Sequence, residues 1–194
     1  MNAVAASKDE LRSPRTDARL ARAWQALGRV EDPEIPGVSV VDLGIVRFVT
    51  PLSDQSLQVG LSPTYTGCPA TEVIRGLVEA AIATADVGAF HVKTVLAPAW
   101  SSDWITPEGR RKLADYGIVP PDSSCSSLGE LRGSSQGDLH GSGLDDPHRS
   151  HRPIACPRCH SMDTETLSEF GSTPCKALHR CRACLEPFEY FKCI

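Results

Sequence analysis

The sequence lacks long apolar runs. Residues 1–20, MNAVAASKDELRSPRTDARL, hold no unbroken apolar segment of the roughly 7–15 residues a secretory leader needs, and no later stretch approaches the roughly 18 needed to span a bilayer. The expectation is a cytoplasmic chain with no membrane contact. Charge of one sign is also missing: the formal net charge is −4 over 194 residues. By segment it is −2 for residues 1–121, −3 for 122–151 and +1 for 152–194. No basic field is available for nucleic acid or anionic lipid. Neither GxGxxG nor GxxxxGK[ST] occurs, which removes dinucleotide oxidoreductases and nucleotide-driven enzymes. The paired Glu-x-x-His helices of di-iron carboxylate sites are absent too, which argues against an oxygenase subunit. There is no internal repeat.

Cysteine is what the chain has in quantity, and it is clustered: six of its eight cysteines fall in the last 39 residues. Residues 156–159 read CPRC and 181–184 read CRAC, with 21 residues between the pairs. A Cys-x-x-Cys turn presents two thiolates at the angle a tetrahedral zinc requires, and two turns at this separation have ribbon spacing. Cys156, Cys159, Cys181 and Cys184 therefore read as ligands of a structural zinc, with an iron–sulfur cluster as the second choice. A thioredoxin-like redox pair would have to open a helix in a βαβ unit, which this tail lacks. A segment this short cannot fold on an apolar core alone, so the metal supplies much of its stability. Cys175 and Cys193 exceed the four needed, as buried spare thiols or as exposed ones open to a passing metal. His160 and His179 read as ordinary neighbours of a complete set.

The rest of the chain reads as an α+β protein, a small mixed α/β domain followed by the zinc-ribbon-like tail. Residues 1–15 are polar and frayed. In 16–121, Leu20, Ala23, Trp24, Leu27 and Val30 have helical spacing behind a Thr16 or Asp17 cap. DPEIPGVSVVDLGIV (32–46) forms a shaped loop feeding a strand at 45–49; SLQVGLS (56–62) alternates as a half-buried strand. A helix follows with Val73, Ile74, Leu77, Val78, Ala81 and Ile82 on one face, then a strand at 91–97. Thr106 caps a short helix that has Pro107 at its first position and stops at Gly117. Residues 122–151 are rich in Ser, Gly and Asp and predict a flexible tether of ~30 Å reach, freeing the tail (152–194) to take many orientations.

In TYTGCPAT, Cys68 stands just ahead of a helix, where the positive end of the dipole favours a thiolate and Gly67 frees the turn to expose it. The competing reading is a buried thiol packed beneath the turn. A cysteine hydrolase would need a base, and His91 is the only histidine in this region, at the start of a strand. Asp32, Glu34 and Asp42 flank the shaped loop as caps, turn formers or hard metal ligands.

Taken together, DPEIPGVSVVDLGIV, TYTGCPAT and APAWSSDWITPEGRRKLADYGI resemble the small domain of the cytosolic iron–sulfur assembly factor (SufT-like) family. With CPRC…CRAC and the closing FEYFKCI, the chain resembles its PaaD subfamily, the accessory D subunits of phenylacetyl-CoA 1,2-epoxidase systems. The resemblance covers residues 16–121 and 152–194. It implies a non-catalytic maturation factor in aerobic phenylacetate catabolism that helps assemble iron–sulfur or di-iron centres. The implied partners are the oxygenase and reductase subunits, with no nucleic acid and no membrane, and a homodimer is left open. It makes Cys68 the transient iron or cluster ligand, with Asp42 and Thr66 supporting it, and makes the tail cysteines the metal-binding set. The alternative is a zinc-ribbon interaction module with no metal-transfer role.

Overall fold

The computed structural model describes residues 18–52, 54, 56–65, 67–121 and 154–194. Thr16, Asp17 and Thr66, and the segments 1–15 and 122–151 expected to be frayed and flexible, lie outside these. Helix α1 (Ala18–Leu27) buries Leu20, Ala23 and Leu27 on one stripe, the 3–4 spacing that a 3.6-residue period places on one face. The proline-rich loop that follows contains a small hairpin: β1 (Glu31–Asp32) pairs antiparallel with β2 (Ile35–Ser39). At its tip the Asp32 carboxylate accepts the Glu34 N–H at 2.8 Å, and Gly37 takes a φ of 82° that L side chains resist.

Three strands then form a sheet in the order β3-β4-β5. β3 (Val46–Pro51) runs antiparallel to β4 (Leu57–Leu61), and β5 (Phe90–Thr94) lies parallel to β4. A parallel neighbour needs a long crossover, and helix α2 (Thr71–Ala83) supplies it. α2 buries Ile74, Val78 and Ile82. Val73 and Leu77, expected on the same face, are about half exposed at 52% and 43%; the buried stripe is narrower than the apolar one.

The short helix α3 (Pro107–Asp115) has the termini the sequence predicts. The Thr106 hydroxyl accepts the Gly109 N–H at 2.7 Å, and the chain turns away at Gly117 with φ 90°. Gly109 is required by proximity, since a Cβ there would lie 2.5 Å from the Asp42 carbonyl oxygen.

The tail is three antiparallel strands: β7 (Thr164–Ser168), β8 (Lys176–Cys181) and β9 (Pro187–Phe191). From the sequence, DTETLSEF (163–170) and LEPFEYFKC (185–193) read as two strands of the tail, and β8 is additional to them. Its buried Lys176 and His179 give KALHRC a polar look. The sheet gains a fourth strand from the first unit, β6 (Ile118–Val119), parallel to β9.

The tail thus has one docked position in place of the many orientations expected of it. Phe191, 1% exposed, stands 5.9 Å from the Trp100 ring and belongs with Cys175 to the main apolar core. Ser102 N–H donates to the Ile194 carbonyl at 3.1 Å, and the Ile194 N–H donates to Ser102 Oγ at 2.7 Å. Among the described residues no helix is long and apolar enough to cross a membrane.

Candidate functional site

Two sites carry cysteine chemistry. In the tail, Cys156, Cys159, Cys181 and Cys184 bring four sulfurs within 4.8 Å of one another. Cys156 and Cys184 Sγ are 3.7 Å apart, and Cys159 and Cys181 Sγ 3.5 Å. Zn–S bonds of about 2.3 Å in a tetrahedron place sulfurs about 3.8 Å apart, so this donor set fits zinc. Each pair sits on a tight turn. Cys156 N–H donates to the Ser161 carbonyl, Cys181 N–H to that of Glu186, and the residues after each second cysteine, His160 and Leu185, adopt left-handed φ of 60° and 63°.

The charge states ask for a cation. The Cys184 N–H leads in drawing Cys181 down to about 7. The Ser161 N–H favours a Cys159 thiolate, but the neighbouring sulfurs of Cys184 and Cys181 push that thiol up to about 12. Four thiols this close are not all ionised without a metal to neutralise them. Neither histidine joins the set: His160 makes the turn, and buried His179 stacks on Phe188 at 5.7 Å and meets Tyr190 edge-on at 5.8 Å.

The second site is a cleft between the first unit and the tail, with a free volume of about 30 Å³. Half-buried Cys68 opens onto it. The turn that presents Cys68 precedes α2 by two residues more than the sequence suggests: the helix starts at Thr71 behind Ala70, and Pro69 belongs to the turn. Cys68 N–H donates to the Tyr65 carbonyl at 3.1 Å, and the Cys68 carbonyl accepts the Thr71 N–H at 3.2 Å.

The hairpin contributes Asp32 and Glu34 to the same cleft, α2 contributes Thr71 and Arg75, and the tail contributes Cys175 and Phe191. Burial pushes the Asp32 carboxyl up, against hydrogen bonds from the Glu34 and Ile35 N–H groups; Glu34 is raised by burial and then by the Asp32 charge. Burial also pushes the Cys175 thiol up, while the Thr173 hydroxyl, 3.0 Å from its sulfur, and the Lys176 ammonium pull it down. Lys176 is 2% exposed and ion-paired with Glu189 at 3.1 Å.

The expected site residues are thereby sorted. Of the three loop carboxylates, Asp32 and Glu34 line the cleft. Asp42, assigned by resemblance to support Cys68, is engaged elsewhere. Its Oδ2 accepts from Ser39 Oγ at 2.8 Å and from Lys112 Nζ at 2.7 Å, and its carbonyl accepts the Thr106 N–H at 2.9 Å. These bonds lock the loop to α3 and hold the Asp42 carboxyl below the ordinary range: burial opposes its charge, and Lys112 and Ser39 outweigh it. Thr66 lies outside the described residues. His91 is exposed on β5, and among the described residues no histidine lines the cleft, so His91 does not pair with Cys68 there. Cys175, surplus to the zinc set in sequence, faces the cleft; Cys193 is disulfide-bonded, not a spare thiol, and its partner lies outside the described residues. Sequence spacing gives no sign that Cys68 and Cys175 line one cleft, since 106 residues separate them.

The fold and its two thiol sites define a class: an iron–sulfur assembly domain carrying a zinc ribbon. Residues 20–96 match the model of the iron–sulfur cluster assembly protein family, and 142–192 match that of the PaaD zinc beta ribbon domain. A protein of Escherichia coli strain K12, provisionally named as the D subunit of 1,2-phenylacetyl-CoA epoxidase, is 42% identical over 174 residues, covering 88% of this chain and 91% of its own. The chain belongs to the PaaD family. Among solved structures, a domain of unknown function from Bacillus anthracis is 28% identical with a TM-score of 0.44, over 48% of this chain and 89% of its own. A conserved hypothetical protein of Thermotoga maritima is 29% identical with a TM-score of 0.42, over 48% and 91%.

Proposed function

We propose that this chain is a non-catalytic cytoplasmic accessory factor that binds iron, or an iron–sulfur cluster, transiently at Cys68 and assists assembly of the metal centres of a phenylacetyl-CoA epoxidase. The observation that carries this reading is the position of Cys68: a half-buried free thiol opening onto a cleft with two carboxylates, in a chain whose first unit matches an iron–sulfur assembly family. Few protein ligands hold a metal loosely enough to give it up, whereas a closed four-thiolate set retains it. On this reading Cys156, Cys159, Cys181 and Cys184 hold a structural zinc that folds the tail.

The ribbon's own surface supports protein over nucleic acid as partner. Arg158 pairs with Glu186 at 2.6 Å, and Glu165 accepts from Arg180 at 2.9 Å and from Arg182 at 3.0 Å. Cations already neutralised by carboxylates make poor phosphate clamps.

The test is Cys68→Ser co-produced with the oxygenase and reductase subunits. The expected result is a folded, zinc-loaded variant and reduced iron or sulfide content in one of those partners. Full metal occupancy in both partners with the variant rejects the role.

A further inference from the structure

We propose that Cys175 is the second protein ligand of the Cys68 site, so that the ribbon, besides carrying its own zinc, completes an iron-binding cleft with the first unit. The inference rests on the proposed role of Cys68 and extends it to a residue from the other unit.

Cys68 and Cys175 line one cavity. They come to it from different units, Cys68 from the turn before α2 and Cys175 from the residue before β8. The tail's hold on the first unit fixes Cys175 there. Phe191 packs against Trp100, and the Cys175 carbonyl accepts the Lys192 N–H at 2.9 Å, tying the thiol's backbone to the strand beside β6. Cys175 is 9% exposed and free. A thiol used only as apolar filler needs no charged company. This one shares its cavity with Asp32 and Glu34, and the next residue in the chain is a buried ammonium. The Lys176 charge, paired with Glu189, also acts on Cys175, Asp32 and Glu34 and so offsets part of the anionic charge that metal loading would leave buried.

The dimensions choose the cargo. A cavity of about 30 Å³ holds about two water-sized groups, which suits a single ion with a water better than a preformed cluster. Thiolates select soft and borderline cations, and ferrous iron is the one that the reading of Cys68 supplies. Among the described residues, the ribbon thiols are the one set of three or more ligand groups close enough together to share an ion. The cleft therefore offers two thiolates and leaves the remaining positions to water, a nearby carboxylate or an acceptor protein. That ligand count lets iron be captured and then displaced by the ligands of an acceptor protein.

The experiment uses the full chain, with zinc in the ribbon, titrated anaerobically with ferrous iron. Bound iron is measured after gel filtration together with thiolate-to-iron charge-transfer absorption. Cys175→Ser should keep the ribbon zinc and bind iron roughly tenfold or more weakly, with the charge-transfer band reduced, and Cys68→Ser should behave alike. Wild-type iron binding by Cys175→Ser overturns the proposal. If Cys68→Ser loses iron in that case, the Cys68 reading survives alone, and if neither variant loses iron, both readings fall. Should Cys175→Ser lose its zinc or its fold, the wild type decides by cross-linking with dibromobimane and peptide mapping. The iron-free chain should yield a Cys68–Cys175 cross-link that iron suppresses. No cross-link, or one indifferent to iron, overturns the proposal.

Discussion

Four sulfurs of the ribbon crowd within reach of one ion, on two turns of the same short segment. Cys68 and Cys175 come from separate units, share a cavity with two carboxylates, and assemble only because the tail is docked. The first set is complete and local; the second, as proposed, is under-liganded and depends on tertiary structure. Ligand number governs how long a metal stays, and sequence distance governs what must be folded before it can bind. On the proposed function, a protein that keeps one metal and passes on another gains by building the two sites on these opposite plans.

The comparison breaks most severely at the ribbon. Cys181 is fully buried, and Cys181→Ser should abolish stoichiometric zinc and the tail's folded signal together, because metal affinity in such units is folding free energy, on the order of 10 kcal/mol. Zinc analysis beside circular dichroism checks this, and a variant that keeps one zinc per chain would show that the tail folds on other terms. The cleft should fall with the ribbon, since Cys175 is delivered by it. A smaller effect is expected at Lys176. Lys176→Met leaves Glu189 without its cation at the docking face, which should cost about 3 kcal/mol, the lower end for a broken buried pair because Glu189 is partly exposed. Chemical denaturation would measure it, with zinc retained; a change of under about 1 kcal/mol would mean the pair is replaceable by apolar packing.

The mildest test separates the cleft from the loop behind it. Asp42→Asn removes the Lys112 ion pair and should cost about 1–2 kcal/mol, with iron binding unchanged. Because the folded carboxyl lies below its ordinary 3.8, wild-type stabilisation is complete above that value and is lost as pH falls through the lower folded one. Acid unfolding curves of Asp42→Asn should lack this component, and a curve parallel to wild type would assign the acid sensitivity to other carboxylates.

Much of this is legible locally. α3 announces itself through Thr106, Pro107 and Gly117, because caps act within one turn of chain. Alternation in Leu57, Val59 and Leu61 gives β4, and the Cys-x-x-Cys spacing brings the ribbon thiols together. The rest depends on contacts that no window of sequence contains. β8 hides behind a lysine that reads as surface until Glu189 is beside it, and β6 is too short to carry a period. Val73 and Leu77 are apolar at helical spacing, yet the sheet beneath α2 covers a narrower stripe. Asp32, Glu34 and Asp42 look equivalent in the loop; only the docking of the hairpin and α3 separates the cleft pair from the anchor. Cys175 is a remainder in the sequence because its neighbour is across a domain boundary.

The pairing of β6 with β9 also alters the meaning of the long Ser/Gly/Asp segment. Val119, just before it, and Ile154, just after it, pack against the same cluster of Cys156, Cys181 and Phe188. The segment is thus the closure of a loop whose two ends are already held together, and its length enters stability only logarithmically, about 0.6 kcal/mol per doubling. A chain cut within it should stay together as two interlocked pieces.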